Sequence, residues 1–286
     1  MAEAEFHIII PARYNSTRLP GKLLLEIHGK SIIQRVYEQA KQCNAATVSI
    51  ATDDQRIYAA AKAFGADVYM TNPAHSCGTE RLAEMVDLLQ LPSTAIVVNV
   101  QGDEPLIPPS MIEKAALELV AAPAAQVATL ATPITTLDEM FDPNVVKVVL
   151  TAENYALLFS RAPIPWQRDG FKSTGKHPGW ENFTLQPDAK FQLDAKFKPD
   201  AKFQPDAKFH HGGGCLRHVG LYAYRCSALQ QFITWPAPAI ETAECLEQLR
   251  FLWYGQKIKV AVVAENLPKG IDVQADLDEI LTKLPF

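Results

Sequence analysis

The strongest constraint on the fold is an alternation of short apolar runs with amphipathic segments. FHIIIPA at 6–12 leads into SIIQRVYEQAKQC, where Ile32, Ile33, Val36, Tyr37 and Ala40 share one helical face. VSIAT, a second helical segment, DVYMT, the helix-like TERLAEMVDLLQ and the strand AIVVNVQ continue the pattern. Continuous apolar strands separated by helices predict a mainly parallel sheet covered on both faces, an α/β layout of the Rossmann-like, nucleotide-binding type. Beyond about residue 125 the rhythm turns strand-rich, with VATLATPI, VVKVVLT, YALLFS and HVGLYAYR and few helices between them. A helix carrying Glu244, Glu247 and Gln248, the strand KIKVAVV and a helix from Gln274 follow. The expected organisation is a nucleotide-binding part over 1–125 and a smaller, mixed α+β acceptor part over 126–286 that returns to the main sheet.

Ligands of such sheets sit outside the carboxyl ends of the strands, which singles out the loops PARYNSTRLPGK, NPAHSCGTER and QGDEP. The first places Arg13, Ser16, Arg18 and Lys22 directly after a buried strand, a set of cations and hydroxyls suited to phosphates. It is not a Walker A loop, because Ser16 stands where the first glycine belongs and Leu23 follows the Gly21-Lys22 pair. In the third, Asp103 and Glu104 are either turn formers or, beside a triphosphate loop, the place for Mg²⁺, which takes one or two carboxylates plus phosphate oxygens. Asp272 in GIDV is the best candidate for a second carboxylate.

A formal net charge of −5 argues against a nucleic-acid partner, which demands a basic face. No apolar run approaches the length of a membrane span, and the N-terminus lacks a signal-like pattern, so the expected location is the cytoplasm. The five cysteines are scattered and never spaced C-x-x-C, as expected of reduced thiols. His210 and His211 near Cys215 lack the four-ligand spacing of a zinc site.

The segments PARYNSTRLPGK, HSCGTERLAE, VNVQGDEP, FDPNVVKVVL, YALLFSRAPIPW, RHVGLYAYR, ECLEQLRFLWYG and GIDVQADL resemble, in this order, the 3-deoxy-manno-octulosonate (Kdo) cytidylyltransferases, the CMP-Kdo synthetases of lipopolysaccharide synthesis. They cover the chain apart from about 172–214. The resemblance implies a homodimeric, Mg²⁺-dependent enzyme in which the anomeric hydroxyl of Kdo attacks the α-phosphorus of CTP, releasing pyrophosphate without a covalent enzyme intermediate. Arg13, Ser16, Arg18 and Lys22 would grip the triphosphate, although a loop arginine such as Arg18 also pairs locally in many proteins. Gly78 and Arg81 would lie near the cytosine and ribose, against the alternative that Arg81 makes an ordinary helix-surface salt bridge. Gln101 would touch the ribose or Kdo hydroxyls, and Asp103 and Asp272 would hold the metal, with Lys22, Asp103 and Asp272 as the catalytic set. Arg161, Arg168, His218, Tyr222, Glu244, Glu247 and Gln248 match the family's pattern for the sugar acid. Taken singly, Tyr222 and His218 also suit a strand interior. Trp166 and Trp253 are read as packing residues.

Other readings differ in the acceptor or in having no activity: a cytidylyltransferase for 8-amino-Kdo or a sialic-acid-like sugar, or a non-catalytic binding module. Intact Lys22, Asp103 and Asp272 disfavour the last. Between the matched segments the unit QPDAKF recurs, with small changes, four times over 186–209. Three of the four units carry proline, which disfavours a stacked β-helix, and a period of six fits neither an α-helix nor a heptad. The expectation is a mobile, locally extended loop whose deletion leaves CTP-dependent activity largely intact.

Overall fold

A computed structural model describes residues 5–15, 18–166, 214–264 and 270–283. Ser16, Arg168, His210, His211 and the QPDAKF repeat lie outside the described residues. The strands are β1 (Phe6–Ala12), β2 (Glu26–Ile27), β3 (Lys30–Ser31), β4 (Thr47–Thr52), β5 (Asp67–Met70), β6 (Ile96–Asn99), β7 (Val127–Pro133), β8 (Lys147–Leu150), β9 (Ala156–Ser160), β10 (Leu216–Arg225) and β11 (Ile258–Val262). The helices are α1 (Ile32–Ala40), α2 (Gln55–Ala63), α3 (Gly78–Leu88), α4 (Pro109–Ala121), α5 (Leu137–Phe141), α6 (Cys226–Phe232), α7 (Ala239–Glu244), α8 (Gln248–Trp253) and α9 (Gln274–Lys283).

One sheet dominates, in the order β11-β7-β10-β6-β1-β4-β5, with β8 and β9 branching from β10. Pairs β1–β4, β1–β6, β4–β5 and β7–β11 are parallel, as the alternation of strands and helices demands. Strand β10 runs antiparallel to both β6 and β7 and joins the strands of the first half to those of the second. The α/β class expected from the sequence is therefore the one observed.

Side-chain alternation along β1 explains why its middle, Ile8 to Ile10, is continuously apolar. Ile8 and Ile10 enter a core shared with Ile32, Ile33 and Val36 of α1 and Ile112 of α4. Ile9 enters the opposite core with Leu82 and Met85 of α3, Leu229 of α6 and Phe251 of α8. A stretch buried on both faces leaves no room for a polar side chain, and the one such residue of β1, the half-buried His7, lies outside it and bonds the Thr47 hydroxyl. Truncating any of these isoleucines to alanine should cost about 2–5 kcal/mol.

Three expectations are corrected. Helix α4 is absent from the sequence reading, though Pro108 at its N-cap and Pro109 at its first position are ordinary start signals. The helix expected through Glu244, Glu247 and Gln248 is two helices, because Cys245 adopts the left-handed conformation at φ 51° and ends α7. Trp166 and Trp253, read as packing residues, leave 52% and 62% of their surface exposed. Trp235 is half-buried against the second core, where it meets Phe251 edge-on and stacks on Tyr254.

Candidate active site

The carboxyl ends of β1 and β6 lie side by side, so the loops that follow them converge. Gly102 takes part in this approach, since a Cβ there would stand 3.0 Å from the carbonyl oxygen of Pro11. The phosphate-type loop closes on Gly21, at φ 66°, whose amide donates to the carbonyl of Tyr14 at 3.1 Å. Any larger residue at 21 would meet the Tyr14 ring, with the hydroxyl 2.9 Å from the new Cβ. The turn delivers Lys22 into the convergence point.

Lys22 Nζ donates to Asp103 Oδ2 at 2.5 Å, to the carbonyl of Ile271 at 2.9 Å and to Asp272 Oδ1 at 3.2 Å. Burial alone works to lower the Lys22 pKa, but the charges and hydrogen bonds of Asp103 and Asp272 outweigh it and hold it above its ordinary value. Arg18 pairs with the other oxygen of Asp272 at 2.9 Å. Asp272 reaches this place because the Ile271 amide donates to the carbonyl of Asp103 at 2.9 Å. Asp276 fixes the turn by accepting from the amides of Asp272 and Val273. At Gly270 an added Cβ would press 3.3 Å from both the Asp103 carbonyl oxygen and Glu104 Cγ, so this crossing is tight.

Glu104, readable from sequence as a turn former, is half-buried here beside Asp103 and Gly270. Burial, then the charges of Asp103 and Asp272, push its carboxyl up to about 8. The adjacency of Asp103 and Glu104 was the available signal for this crowding. Asp103 and Asp272 fit a Mg²⁺ ion that keeps its remaining positions for phosphate oxygens and water. Among the described residues no cluster of three or more His, Cys, Asp or Glu forms a self-sufficient metal cage.

Around this centre the other candidates take varied places. Arg13 donates to the carbonyl of His75 at 3.1 Å, tying the first loop to the second. Gln101 reaches the carbonyl of Gly220 at 3.4 Å, on β10. Gly78 opens α3, and its amide and that of Thr79 donate to the carboxylate of Glu247 at 3.3 and 3.1 Å, with the Thr79 hydroxyl at 2.7 Å. Glu247 thus bridges the nucleotide-side helix to α8. Arg81 is neither exposed nor on the helix surface: its guanidinium is fully buried, pairs with Asp53 at 2.6 Å and bonds the Thr71 hydroxyl.

On the acceptor side, Glu244 accepts from the Ser160 hydroxyl at 2.5 Å and the Arg161 amide at 2.9 Å. The Arg161 guanidinium returns to the Glu244 carbonyl at 2.7 Å and to the Pro143 carbonyl at 2.9 Å. His218 meets Phe159 edge-on, with 5.0 Å between ring centroids, and Tyr222 at 5.1 Å, and its Nε2 lies 2.9 Å from the Thr129 hydroxyl. Burial pushes the imidazole down to about 3, so it is neutral and suited to hydrogen bonding rather than to charge pairing. Tyr222 stacks on Tyr224, and burial holds both phenols protonated. Gln248 is buried at the start of α8. Sequence reasoning missed Asp53, Thr79, Asp276 and the Ile271 carbonyl, whose parts depend on contacts between distant segments.

Comparisons with known proteins point to one family. The model of the family described as "Cytidylyltransferase" matches residues 7–258. A 3-deoxy-manno-octulosonate cytidylyltransferase of Aliivibrio salmonicida (strain LFI1238) is 50% identical over 275 residues, 96% of this chain and 97% of the relative. One of Vibrio vulnificus (strain YJ016) is 47% identical over 273 residues, 96% of this chain and 95% of the relative. Among solved structures, a CMP:2-keto-3-deoxy-manno-octonic acid synthetase complexed with CTP superposes with a TM-score of 0.78 at 37% identity, covering 98% of each chain. The chain belongs to the 3-deoxy-manno-octulosonate cytidylyltransferases, a family of nucleotidyltransferase enzymes.

Proposed function

We propose that the chain transfers CMP from CTP to Kdo with Mg²⁺ as cofactor, giving CMP-Kdo and pyrophosphate, and that it acts in the cytoplasm to activate Kdo for lipopolysaccharide synthesis. The observation that carries this reading is the meeting of Lys22 with Asp103 and Asp272 at the ends of β1 and β6. Relatives named for this reaction, and a related structure holding CTP, support it.

Arg13, Arg18 and Lys22 hold the triphosphate by charge and restrain its rotation. Lys22 stabilises negative charge on the departing pyrophosphate as the bond from the α-phosphorus to the bridging oxygen breaks. Mg²⁺, held by Asp103 and Asp272, would lower the pKa of the attacking hydroxyl and screen its approach to an anionic centre. Gln101, His218 and Tyr222 lie along β10 and its neighbour β6, where neutral donors and acceptors can orient a polyhydroxy acid toward the nucleotide. Glu247 positions the first turn of α3 beside them.

The test is pyrophosphate release from CTP and Mg²⁺ with a panel of Kdo, 8-amino-Kdo and sialic acid. Release with Kdo and little without a sugar is expected; no release with any of the three overturns the reading. We further infer a homodimer through the strand-rich second half. This is supported by Leu157 and Leu158 on β9, 59% and 36% exposed, on a strand whose only partner in the sheet, among the described residues, is β8. Leu157→Arg is expected to shift the chain to monomer in sedimentation velocity; an unchanged sedimentation coefficient would place the interface elsewhere.

A further inference from the structure

The ammonium of Lys22 spends its three donors on three oxygens, one from each of Asp103 and Asp272 and one from the Ile271 carbonyl. It stands between the two carboxylates, and its side chain is only 12% exposed. A divalent ion shared by the same carboxylates would need oxygens at about 2.0–2.1 Å, which puts it in the gap that the ammonium fills. Two cations a few ångströms apart in a partly buried site repel strongly. Arg18 adds a second positive group, on the outer oxygen of Asp272.

Both cations belong to the loop read as the triphosphate grip. A triphosphate offers them a denser anion than the carboxylates do, so its arrival draws them off the aspartates. We propose that Lys22 is a placeholder cation: its ammonium closes the Asp103–Asp272 pair to divalent ions until a nucleotide triphosphate draws it away. The nucleotide then licenses metal binding, and the metal-free pair is spared the mutual repulsion of two carboxylates. This inference rests on the reading of Asp103 and Asp272 as the Mg²⁺ ligands.

Mn²⁺ uptake by the nucleotide-free full chain, followed by the electron paramagnetic resonance of the free ion, tests it without reference to turnover. The wild type should bind weakly, whereas Lys22→Gln and Lys22→Met should each bind about tenfold or more tightly. Adding Asp103→Asn to either variant should abolish the gain. Thermal unfolding establishes that the variants fold, and Mn²⁺ should raise their Tm more than that of the wild type. Unchanged Mn²⁺ affinity in both folded Lys22 variants overturns the proposal. A separate arm, the wild type with CTP and Mn²⁺, tests the ligand assignment. If Asp103→Asn and Asp272→Asn leave protein-bound Mn²⁺ unaltered there, the Mg²⁺ reading fails and the placeholder role with it.

Discussion

Arg250 lies over the Phe232 ring, its guanidinium carbon 4.0 Å from the centroid, and meets the two oxygens of Glu241 at 2.6 and 2.5 Å. Both side chains are buried, so Glu241→Ala would strand a charge in the interior at a cost of about 3–5 kcal/mol. The check is a lower urea midpoint at unchanged slope. His218 carries a pH signature of the opposite origin. Its folded pKa is pushed down by burial from 6.5 to about 3. Between those values the unfolded chain binds the proton and the folded chain does not, so stability falls as pH drops from 6.5 toward 3. His218→Gln should therefore show a flatter Tm-against-pH profile in that window, and an identical slope would show that His218 ionises freely when folded. Asp103 was legible in the sequence because charge just past an apolar strand is conspicuous, and Lys22 because it closes a cation-rich loop after another; Asp272, which follows no apolar strand directly, was singled out by the resemblance. The raised pKa of Glu104 and the Asp53 partner of Arg81 were not legible, because crowding by distant segments leaves no local pattern.

At the scale of elements, the site depends on how a few turns aim the side chains that follow them. Gly21 opens the 3₁₀ turn that presents Lys22, in a left-handed conformation and against the Tyr14 ring. Gly21→Ala should cost about 1–2 kcal/mol for the backbone alone. Its larger effect should be on kcat, as Lys22 is displaced; steady-state rates measured beside Tm would reveal the disproportion, and parallel losses would refute it. Glu247 ties the start of α3 to α8 through three hydrogen bonds, so Glu247→Ala should remove about 1–3 kcal/mol, read as a lower Tm. The periodic strands and α1 were readable because one buried face repeats along them. The break at Cys245 was not, since a non-glycine residue at φ 51° is imposed by what Glu244 and Glu247 must reach on either side.

For the molecule as a whole, β10 decides how the halves depend on each other. It lies between β6 and β7, and the strands before and after residue 125 share one sheet through it. The piece 1–125 alone would leave β6 with a bare edge and should be largely unfolded or aggregated by circular dichroism, whereas the full chain unfolds in one transition. The first-half topology was legible because parallel strands announce themselves as apolar runs. The antiparallel placement of β10 was not, because HVGLYAYR reads the same in either direction of pairing. That placement also has a consequence during synthesis. Ile96–Asn99 leaves the ribosome early, yet its second neighbour ends at Arg225. At about 5–20 residues per second, roughly ten seconds pass before the edge can be covered. Every residue placed between β9 and β10, the QPDAKF units included, lengthens the time that an apolar edge waits for its partner and for chaperones to find it.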